Sequence, residues 1–381
     1  MTSASQVPTI LQVLPALQSG GVERGTIEIA DAVVKEGWNA IVASEGGRME
    51  QQLLMKKAQH ITLPLASKNP LMIIANAFRL AGVIRKHKVS IIHARSRAPA
   101  WSARMAACMT GIPFVTTFHG TYNFKSPFKK WYNGVMTKGD KVIAISEFIR
   151  QHILANYKLP EEKITLIHRG ADVQQFSLAS VQANVMMDMQ ESWGLEDNAL
   201  PIILLPGRIT RWKGHQTFLD ALAKIPHRNW MAVILGDDGG HPAYSESLHQ
   251  QAQQLDIASH VRFAPNTQHM AEAYALAYCV VCASIEPEAF GRVPVEAQAM
   301  GKPIIATNHG GATETVLHEQ TGRLVPAGDA TAMAHALEEI LALDEAGLAR
   351  IKQAAIQHVS DDFSISQMQE KTLQLYRSLL S

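Results

Sequence analysis

Short apolar runs alternate along this chain with longer segments of helical periodicity, and this alternation limits the folds that the chain can adopt. In the first half of the chain the apolar runs lie at 9–14, 40–44, 89–94, 113–118, 141–146 and 164–168. Such nearly continuous runs are typical of parallel strands that are buried on both faces. The segments between them, such as 22–36, carry one apolar face and favour helices. The pattern predicts an α/β fold with a doubly wound parallel sheet.

The same alternation restarts after a break. The later apolar runs lie at 201–207, 230–236, 260–265, 278–284, 303–307 and 323–327, and helical periodicity follows at 329–343 and 346–380. A length of 381 residues exceeds that of one ordinary domain. We therefore predict two Rossmann-like domains, at 1–175 and 201–362, joined by a linker at 176–200. Because ligands of such sheets gather at the carboxyl ends of the strands, the expected site is a cleft between the domains.

Composition excludes several classes of protein. The chain is 47% hydrophobic and 18% charged, which rules out a wholly disordered chain. Lys and Arg number 35 against 34 Asp and Glu, so the basic excess of a typical nucleic-acid binder is absent. Cys108, Cys279 and Cys282 are too few for a disulfide framework. Cys279 and Cys282 have metal-ligand spacing but lie inside an apolar run without a second pair, which favours buried strand cysteines.

No segment resembles a secretory signal or a membrane span. The first basic residue, Arg24, follows the apolar start instead of preceding it. The longest uncharged stretch, 105–124, is interrupted by Gly111, Pro113 and Gly120. We therefore expect a protein of a reducing compartment, the cytoplasm.

The first candidate motif is SGGVERGT at 19–26, which follows a predicted strand and opens a helix. Gly20 and Gly21 would let an anion approach the backbone, and the helix N-terminus supplies N–H donors. A tight turn without a ligand is the alternative. Thr26 stands where a P-loop has its lysine, and the motif departs from GxGxxG, so nucleoside triphosphatases and dehydrogenases are disfavoured.

The second motif is LPGRITRWKGHQ at 205–216, again after a predicted strand. Arg208 and Lys213 beside a helix N-terminus would neutralise a diphosphate without a metal ion. The alternative is an ordinary solvated turn.

The third motif lies at 285–307 and carries two carboxylates, Glu288 and Glu296. A helix is predicted to begin near Arg292, so Glu288 would lie in the loop and Glu296 in the first turns of the helix. Both carboxylates would then face one pocket, together with the N–H groups of Gly291, Arg292 and Val293. A carboxylate that only stabilises the helix dipole is the alternative.

Together these motifs resemble those of the family 4 (group 1) retaining glycosyltransferases of the GT-B fold, of the bacterial lipopolysaccharide, capsule and exopolysaccharide type. The matching segments are Glu288-x7-Glu296, GR-x4-KG at 207–214, the Gly-Gly of the first loop, FHG at 118–120 and HRGADVQQF at 168–176. The resemblance implies two Rossmann-like domains facing a central cleft, with a nucleotide-sugar donor on the C-terminal domain and the acceptor mainly on the N-terminal domain. It also implies that a last helix, at about 363–381, crosses back to the N-terminal domain.

The resemblance further implies roles for individual residues. Glu296 would bind the donor ribose, Glu288 the transferred sugar, and Arg208 with Lys213 the diphosphate. His119 would approach the reacting sugar, and it joins Glu288, Arg208 and Lys213 as a candidate catalytic residue. The implied donor-binding residues are Gly20, Gly21, Arg208, Lys213, Glu288, Phe290, Gly291, Arg292, Val293 and Glu296.

Some positions depart from the family pattern or extend it. Arg169 stands where the family often has Asn, and Pro265 stands where a glycine is frequent near the nucleobase pocket, so the base stays open. Arg95 and Arg97 follow a predicted strand of the first domain. With Arg169 they are candidates for contact with an acceptor phosphate.

The predicted activity is metal-independent transfer of a hexose or hexosamine to a cell-envelope glycan or glycolipid. Metal-dependent transferases often hold Mg²⁺ or Mn²⁺ with Asp-x-Asp, which does not occur here; Asp237 and Asp238 are adjacent and favour a polar turn. We therefore expect no metal and no cofactor besides the nucleotide-sugar co-substrate, with a UDP-sugar favoured over GDP-mannose. A sugar-nucleotide epimerase or hydrolase of the same fold, and a non-catalytic GT-B scaffold, are the alternatives.

One segment, 123–141, combines aromatic and basic side chains: Phe124, Phe128, Trp131, Tyr132, Lys125, Lys129, Lys130, Lys138 and Lys141. At helical spacing the aromatic residues share a face, which favours peripheral contact with the anionic cytosolic surface of the inner membrane. An ordinary domain helix with a solvated basic side is the alternative.

Overall fold

The computed structural model describes residues 7–18, 20–122 and 126–381. The chain divides into two compact units, the first comprising Met1–Arg169 with Ser366–Ser381 and the second Gly170–Ile365. Among the described residues no helix is long and apolar enough to cross a membrane.

The first unit is built on a parallel sheet of seven strands within its described residues. The strands are β1 (Thr9–Val13), β2 (Asn39–Ser44), β3 (Gln59–Thr62), β4 (Ile91–Ala94), β5 (Phe114–Phe118), β6 (Lys141–Ala144) and β7 (Ile164–Leu166). Their order, β3-β2-β1-β4-β5-β6-β7, is doubly wound around β1. The apolar pattern of the sequence does not reveal β3, because this edge strand is polar and only partly buried.

Helices lie between these strands in the chain and supply the other side of the core. They are α1 (Gly21–Lys35), α2 (Glu50–Met55), α3 (Pro70–His87), α4 (Arg97–Thr110), α5 (Pro127–Asn133) and α6 (Glu147–Asn156). α1 packs its apolar face, which includes Ile29 and Val33, against strand residues such as Ile10 and Val42. This burial holds the glycine-rich start of α1 close to the carboxyl end of β1.

The second unit contains six parallel strands in the part of it that the structure describes. They are β8 (Ile202–Pro206), β9 (Met231–Leu235), β10 (Val261–Ala264), β11 (Cys279–Cys282), β12 (Ile304–Thr307) and β13 (Gly322–Val325), in the order β10-β9-β8-β11-β12-β13. The helices are α7 (Ala183–Ser192), α8 (His215–Lys224), α9 (Pro242–Gln254), α10 (Met270–Leu276), α11 (Arg292–Ala299), α12 (Ala312–Thr315), α13 (Ala330–Leu341) and α14 (Glu345–Asp362). Trp230, Phe218 and Leu337 lie at the centre of its core. The predicted fold class is thus confirmed in both units.

The segment predicted as a linker, 176–200, is a folded part of the second unit. It carries α7, and its Met189, Trp193 and Leu195 are buried. Sequence periodicity did not reveal this, because the buried residues are few and spaced among polar ones. The boundary between the units falls instead at Gly170.

The helix predicted over 346–380 is two helices, α14 and α15 (Ile365–Leu380). The chain breaks between them because Ala171 donates its N–H to the Phe363 carbonyl (2.8 Å) and accepts from the Ile365 N–H (3.0 Å). An added Cβ on Gly170 would lie 2.4 Å from the backbone of Ser364 and Ile365, so this approach requires glycine. From Ser366 onward α15 belongs to the first unit, as the resemblance implied.

Candidate functional site

Two loops meet at the carboxyl edge of the second sheet. The loop after β8 carries Lys213, and the loop after β11 carries Glu288. They approach closely at Gly214, which has φ +74° and whose added Cβ would lie 1.9 Å from the Ala283 carbonyl oxygen. The Ile285 N–H also donates to the Trp212 carbonyl at 2.7 Å. Backbone contacts therefore fix the relative position of the two functional side chains.

Lys213 and Glu288 form an ion pair that is largely removed from solvent. The Lys213 Nζ lies 2.7 Å from Glu288 Oε1, with only 13% and 15% of the two side chains exposed. Burial alone would raise the pKa of Glu288, but the Lys213 ammonium and hydrogen bonds from Lys213, Ser284 and Cys282 outweigh it and hold that pKa below its usual value. Glu288 is therefore an ionised acceptor held at a fixed place.

The Ser284 hydroxyl donates to Glu288 Oε1 at 2.5 Å. The backbone of Ser284 is held in turn from β12, because its carbonyl accepts the Thr307 hydroxyl (2.8 Å) and lies 2.8 Å from His309 Nε2. Three strand ends thus contribute to the position of one carboxylate. Groups with such support keep their geometry when a ligand binds.

Glu296 has a different set of partners. Its Oε1 accepts from Arg292, at 3.0 Å from Nε and 2.9 Å from Nη2, and its Oε2 accepts the Tyr274 hydroxyl at 3.0 Å. Burial, followed by the charge of Glu296, raises the pKa of Tyr274 well above its usual value, so the phenol stays a donor. The two glutamates share no hydrogen-bond partner among these contacts.

A glycine pair after β12, Gly310 and Gly311, packs against the backbone of the Glu288 loop. The Gly311 N–H donates to the Glu288 carbonyl at 2.8 Å. A Cβ added to Gly310 would lie 2.5 Å from that same carbonyl oxygen. A Cβ added to Gly311 would lie 2.4 Å from the carbonyl oxygen of Phe290. Side chains at 310 or 311 would therefore push the Glu288 loop out of place.

The remaining predicted donor residues surround this loop. Gly291, with φ +84°, precedes the first turn of α11, where Val293 is half-buried. Phe290 is buried and contacts the Phe363 ring at 5.9 Å between centroids. Arg208 is exposed and, within the described chain, forms no ion pair with a carboxylate. The structure therefore brings Lys213, but not Arg208, onto Glu288.

A second cluster of predicted residues lies at the carboxyl edge of the first sheet. Gly20 has φ +127° and precedes α1, and Arg169 donates to the Gly21 carbonyl. A Cβ added to Gly21 would lie 2.6 Å from Arg169 Nη1, and a Cβ added to Gly25 would lie 3.0 Å from Arg95 Nη2. The glycines of SGGVERGT thus make room for two buried guanidinium groups; Ser19 lies outside the described residues.

His119 lies beside these arginines in a small pocket that Thr117 and Ile145 also line. Burial, and next the charges of Arg95 and Arg169, hold the pKa of His119 well below its usual value, so the imidazole is neutral. Its two ring nitrogens and Arg95 Nε are buried polar atoms without a hydrogen-bond partner in the described structure. Such atoms mark a place where a polar ligand or water is needed.

Arg97 makes its contacts with residues outside this cluster. Its Nη1 donates to Asn133 Oδ1 at 3.0 Å, and its guanidinium lies 4.5 Å from the centroid of the Tyr122 ring. The structure therefore unites Arg95 with Arg169 but gives Arg97 a structural partner on α5.

α5 presents the aromatic residues predicted at 123–141. Phe128 and Trp131 are 71% and 61% exposed, and the Trp131 ring lies 4.7 Å from that of Trp101. Phe124 and Lys125 lie outside the described residues. The exposed pair thus forms an apolar patch on α5, a helix that also carries the exposed Lys129 and Lys130.

Comparison with known proteins identifies the family. Residues 19–175 match the model described as Glycosyltransferase Family 4, and 190–358 match Glycosyl transferases group 1. The crystal structure of a glycosyltransferase from Rickettsia africae ESF-5 is 40% identical, covers 99% of both chains and has a TM-score of 0.92. The chain belongs to the family 4, group 1 glycosyltransferases.

This glycosyltransferase has further relatives with more specific names. D-inositol 3-phosphate glycosyltransferase 1 of Catenulispora acidiphila is 27% identical over 79% of this chain and 75% of its own. The match to the enzyme of that name from Mycobacterium sp. (strain KMS) spans only 49% of its length. The structure of Anabaena HepE with UDP-glucose has a TM-score of 0.82 at 22% identity, over 97% and 99% of the two chains, and so shares the GT-B fold.

Several groups that support the site of the glycosyltransferase were missed by the sequence analysis. They are Tyr274, Ser284, Thr307, His309, Gly310 and Gly311. A signal existed for the last three, since NHGGAT follows an apolar run and precedes a helix in the same way as the first glycine motif. Tyr274 gave none, because its partnership with Glu296 depends on how α10 packs. In the described residues no group of three or more His, Cys, Asp or Glu side chains could hold a metal ion.

Proposed function

We propose that this glycosyltransferase moves a hexose or hexosamine from a nucleotide-diphosphate sugar, with retention of configuration and without a metal ion. The buried Lys213–Glu288 pair carries this proposal. A glycosyl diphosphate already has an activated leaving group, so the reaction needs stabilisation of developing phosphate charge more than a strong nucleophile. Lys213 supplies that charge and Glu288 accepts a hydroxyl of the transferred sugar.

The second unit is the proposed donor-binding unit. Arg208, exposed beside Gly207, would join Lys213 in binding the diphosphate. Glu296, held in position by Arg292 and Tyr274, would accept hydrogen bonds from the ribose hydroxyls. The N–H groups after Gly291 would face the sugar. A uridine donor is favoured, since HepE, which shares the fold, binds UDP-glucose.

The first unit is the proposed acceptor-binding unit, and its acceptor carries a phosphate. Arg95 and Arg169 are buried beside the N-terminus of α1, a combination that suits an anion. The unpartnered nitrogens of His119 would receive hydroxyls of the reacting sugars. A relative named for D-inositol 3-phosphate supports a phosphate-bearing acceptor, and a cell-envelope glycan or glycolipid is the acceptor class we favour.

The exposed Phe128 and Trp131, with Lys129 and Lys130 beside them, support peripheral contact with an anionic membrane surface. This would place a glycolipid acceptor near the first unit, on the cytosolic face of the inner membrane. Co-sedimentation with vesicles of anionic lipid tests it. The double variant Phe128→Ser/Trp131→Ser should lose binding that Phe78→Ser, an equally exposed change on α3, retains.

A thermal-shift panel of UDP, GDP, ADP and CDP in EDTA tests the donor assignment. A nucleotide that binds the folded pocket must raise the melting temperature by linkage. We expect UDP to stabilise the protein without metal, and Glu296→Ala to remove that shift. Stabilisation only after addition of Mg²⁺ or Mn²⁺ would contradict the metal-free mechanism, and release of free sugar from the donor without an acceptor would favour a hydrolase.

A further inference from the structure

The second unit has a pocket on the edge of its sheet opposite to that of Lys213 and Glu288. It is formed where the chain enters β8, β11 and β12, and one side is closed by α14. Its volume of about 440 Å³ is in the range of pockets that hold small ligands. The proposed donor and acceptor sites use none of its residues.

The charge of this pocket has one sign. Lys302 and Lys352 line it, and no Asp or Glu does. Within the part of the chain that the structure describes, neither lysine pairs with a carboxylate. The Lys302 Nζ donates to the Ala275 carbonyl at the end of α10 (2.9 Å), which leaves N–H bonds of its ammonium for another acceptor.

Gly301 brings the two lysines together. It has φ +68°, and an added Cβ would lie 2.6 Å from Lys352 Cγ, so the stem of Lys352 crosses the loop only because residue 301 has no side chain. Burial, and next the charge of Lys352, lower the pKa of Lys302 to about 8, while Cys279 of β11 acts in the opposite direction. The charged form of Lys302 is therefore held at a cost that a nearby anion would reduce.

The remaining lining is neutral. Pro201, Ala277, Pro303 and Leu348 supply apolar surface, and the Asn198 side chain lines the same pocket. A ligand of matching chemistry has a doubly charged anionic group and a small, partly apolar body.

We propose that this pocket binds a small phosphate monoester, with its dianionic phosphate between Lys302 and Lys352 and its body on the apolar wall. The phosphate monoester offers oxygens to both ammonium groups at once and balances their charge. Binding then restores the charged form of Lys302, so the protein takes up protons when the ligand binds near pH 8.

Calorimetric titration of the full chain with glycerol 3-phosphate at pH 8 tests the proposal. Two buffers of different ionisation enthalpy report proton uptake, because the phosphate of the probe is already dianionic at that pH. We expect binding with uptake of a fraction of a proton. Lys302→Gln should weaken binding about tenfold or more and abolish the uptake, and Lys352→Gln should weaken binding to a similar degree. Lys224→Gln, an exposed lysine of the same unit outside the pocket, should bind as the unaltered protein does.

Any of four results would overturn the proposal. The first is no binding at millimolar probe by protein whose melting temperature is normal. The second is unchanged affinity in Lys302→Gln. The third is equally tight binding of succinate, which would remove the phosphate assignment. The variant Glu288→Gln tests whether this pocket is separate from the donor site. If the variant still binds the probe, the pocket is separate, whether or not the donor assignment is correct. Loss of probe binding in this variant would contradict the proposal.

Discussion

The carboxyl edges of the two sheets hold their charged groups in contrasting ways. In the second unit each glutamate of the candidate site has a cation within hydrogen-bond distance, Lys213 for Glu288 and Arg292 for Glu296. In the first unit the buried guanidinium of Arg95 and the imidazole of His119 keep nitrogens without a partner in the described structure. A charge-balanced network is rigid before any ligand arrives, whereas unsatisfied buried donors require one. The two edges are therefore prepared for different kinds of ligand.

The largest expected effect comes from Glu288→Gln, which keeps the shape of the side chain but removes the charge opposite Lys213. We expect kcat to fall by about 10²–10³-fold, since an interaction with the reacting sugar is lost. The thermal shift caused by the donor nucleotide should persist. The matched control is Glu286→Gln, an exposed change in the same loop. An unchanged kcat would mean that the Lys213–Glu288 pair is only structural, which would contradict its proposed role in the reaction.

A smaller effect is expected from Arg169→Gln in the first unit. Loss of one charged donor to an acceptor phosphate should raise the acceptor KM by about tenfold and leave the donor shift in place. Arg97→Gln is the matched control, because Arg97 is held by Asn133 and Tyr122 and its loss should change the acceptor KM little. Equal rises in both variants would show that the contacts of Arg97 do not remove it from acceptor binding.

The pH dependence of stability is the third way to examine the first unit. His93 is fully buried, between the Tyr376 hydroxyl (2.6 Å from Nδ1) and the Thr117 hydroxyl (2.7 Å from Nε2). Burial, and next the charge of Arg95, hold the pKa of His93 well below its usual value. The unfolded chain therefore takes up a proton that the folded chain does not. This contribution to stability is present above about pH 6.5 and is lost as the pH falls, by roughly 1.4 kcal/mol per pH unit.

Urea unfolding at pH 7.5, 6.5 and 5.5 measures this loss. His93→Gln should show a shallower decline of stability with acidification, and His227→Gln, an exposed change in the second unit, should follow the unaltered protein. If the stability of His93→Gln declines with acidification as steeply as that of the unaltered protein, a group other than His93 causes the loss.

The smallest expected effect is that of Ser284→Ala, which removes one hydrogen bond from Glu288. Because that bond lowers the pKa of Glu288, its loss should raise it. The acidic limb of the pH–rate profile should then shift upward, with kcat reduced by about fivefold at neutral pH. An unmoved limb would mean that Lys213 alone sets the ionisation of Glu288.

Sequence patterns predicted most of the fold because central parallel strands are apolar on both faces. They failed where the pattern is weak or where distant residues decide. β3 is a polar edge strand, and the break between α14 and α15 is imposed by the backbone of Ala171. The candidate carboxylates and cations were visible because each follows a strand at a recognisable spacing. Groups that support them, such as Tyr274 and Thr307, were not visible, because hydrogen bonds between different elements leave no periodic pattern in the sequence.

The membership of α15 in the first unit has a consequence for synthesis. Tyr376 of this helix is buried against His93, yet it leaves the ribosome only after all of the second unit has been made. The first unit, although its strands are made first, therefore cannot complete its core until α15 has been made. A chain shortened by those few residues would leave an open apolar face on the first unit, a target for chaperones and proteases.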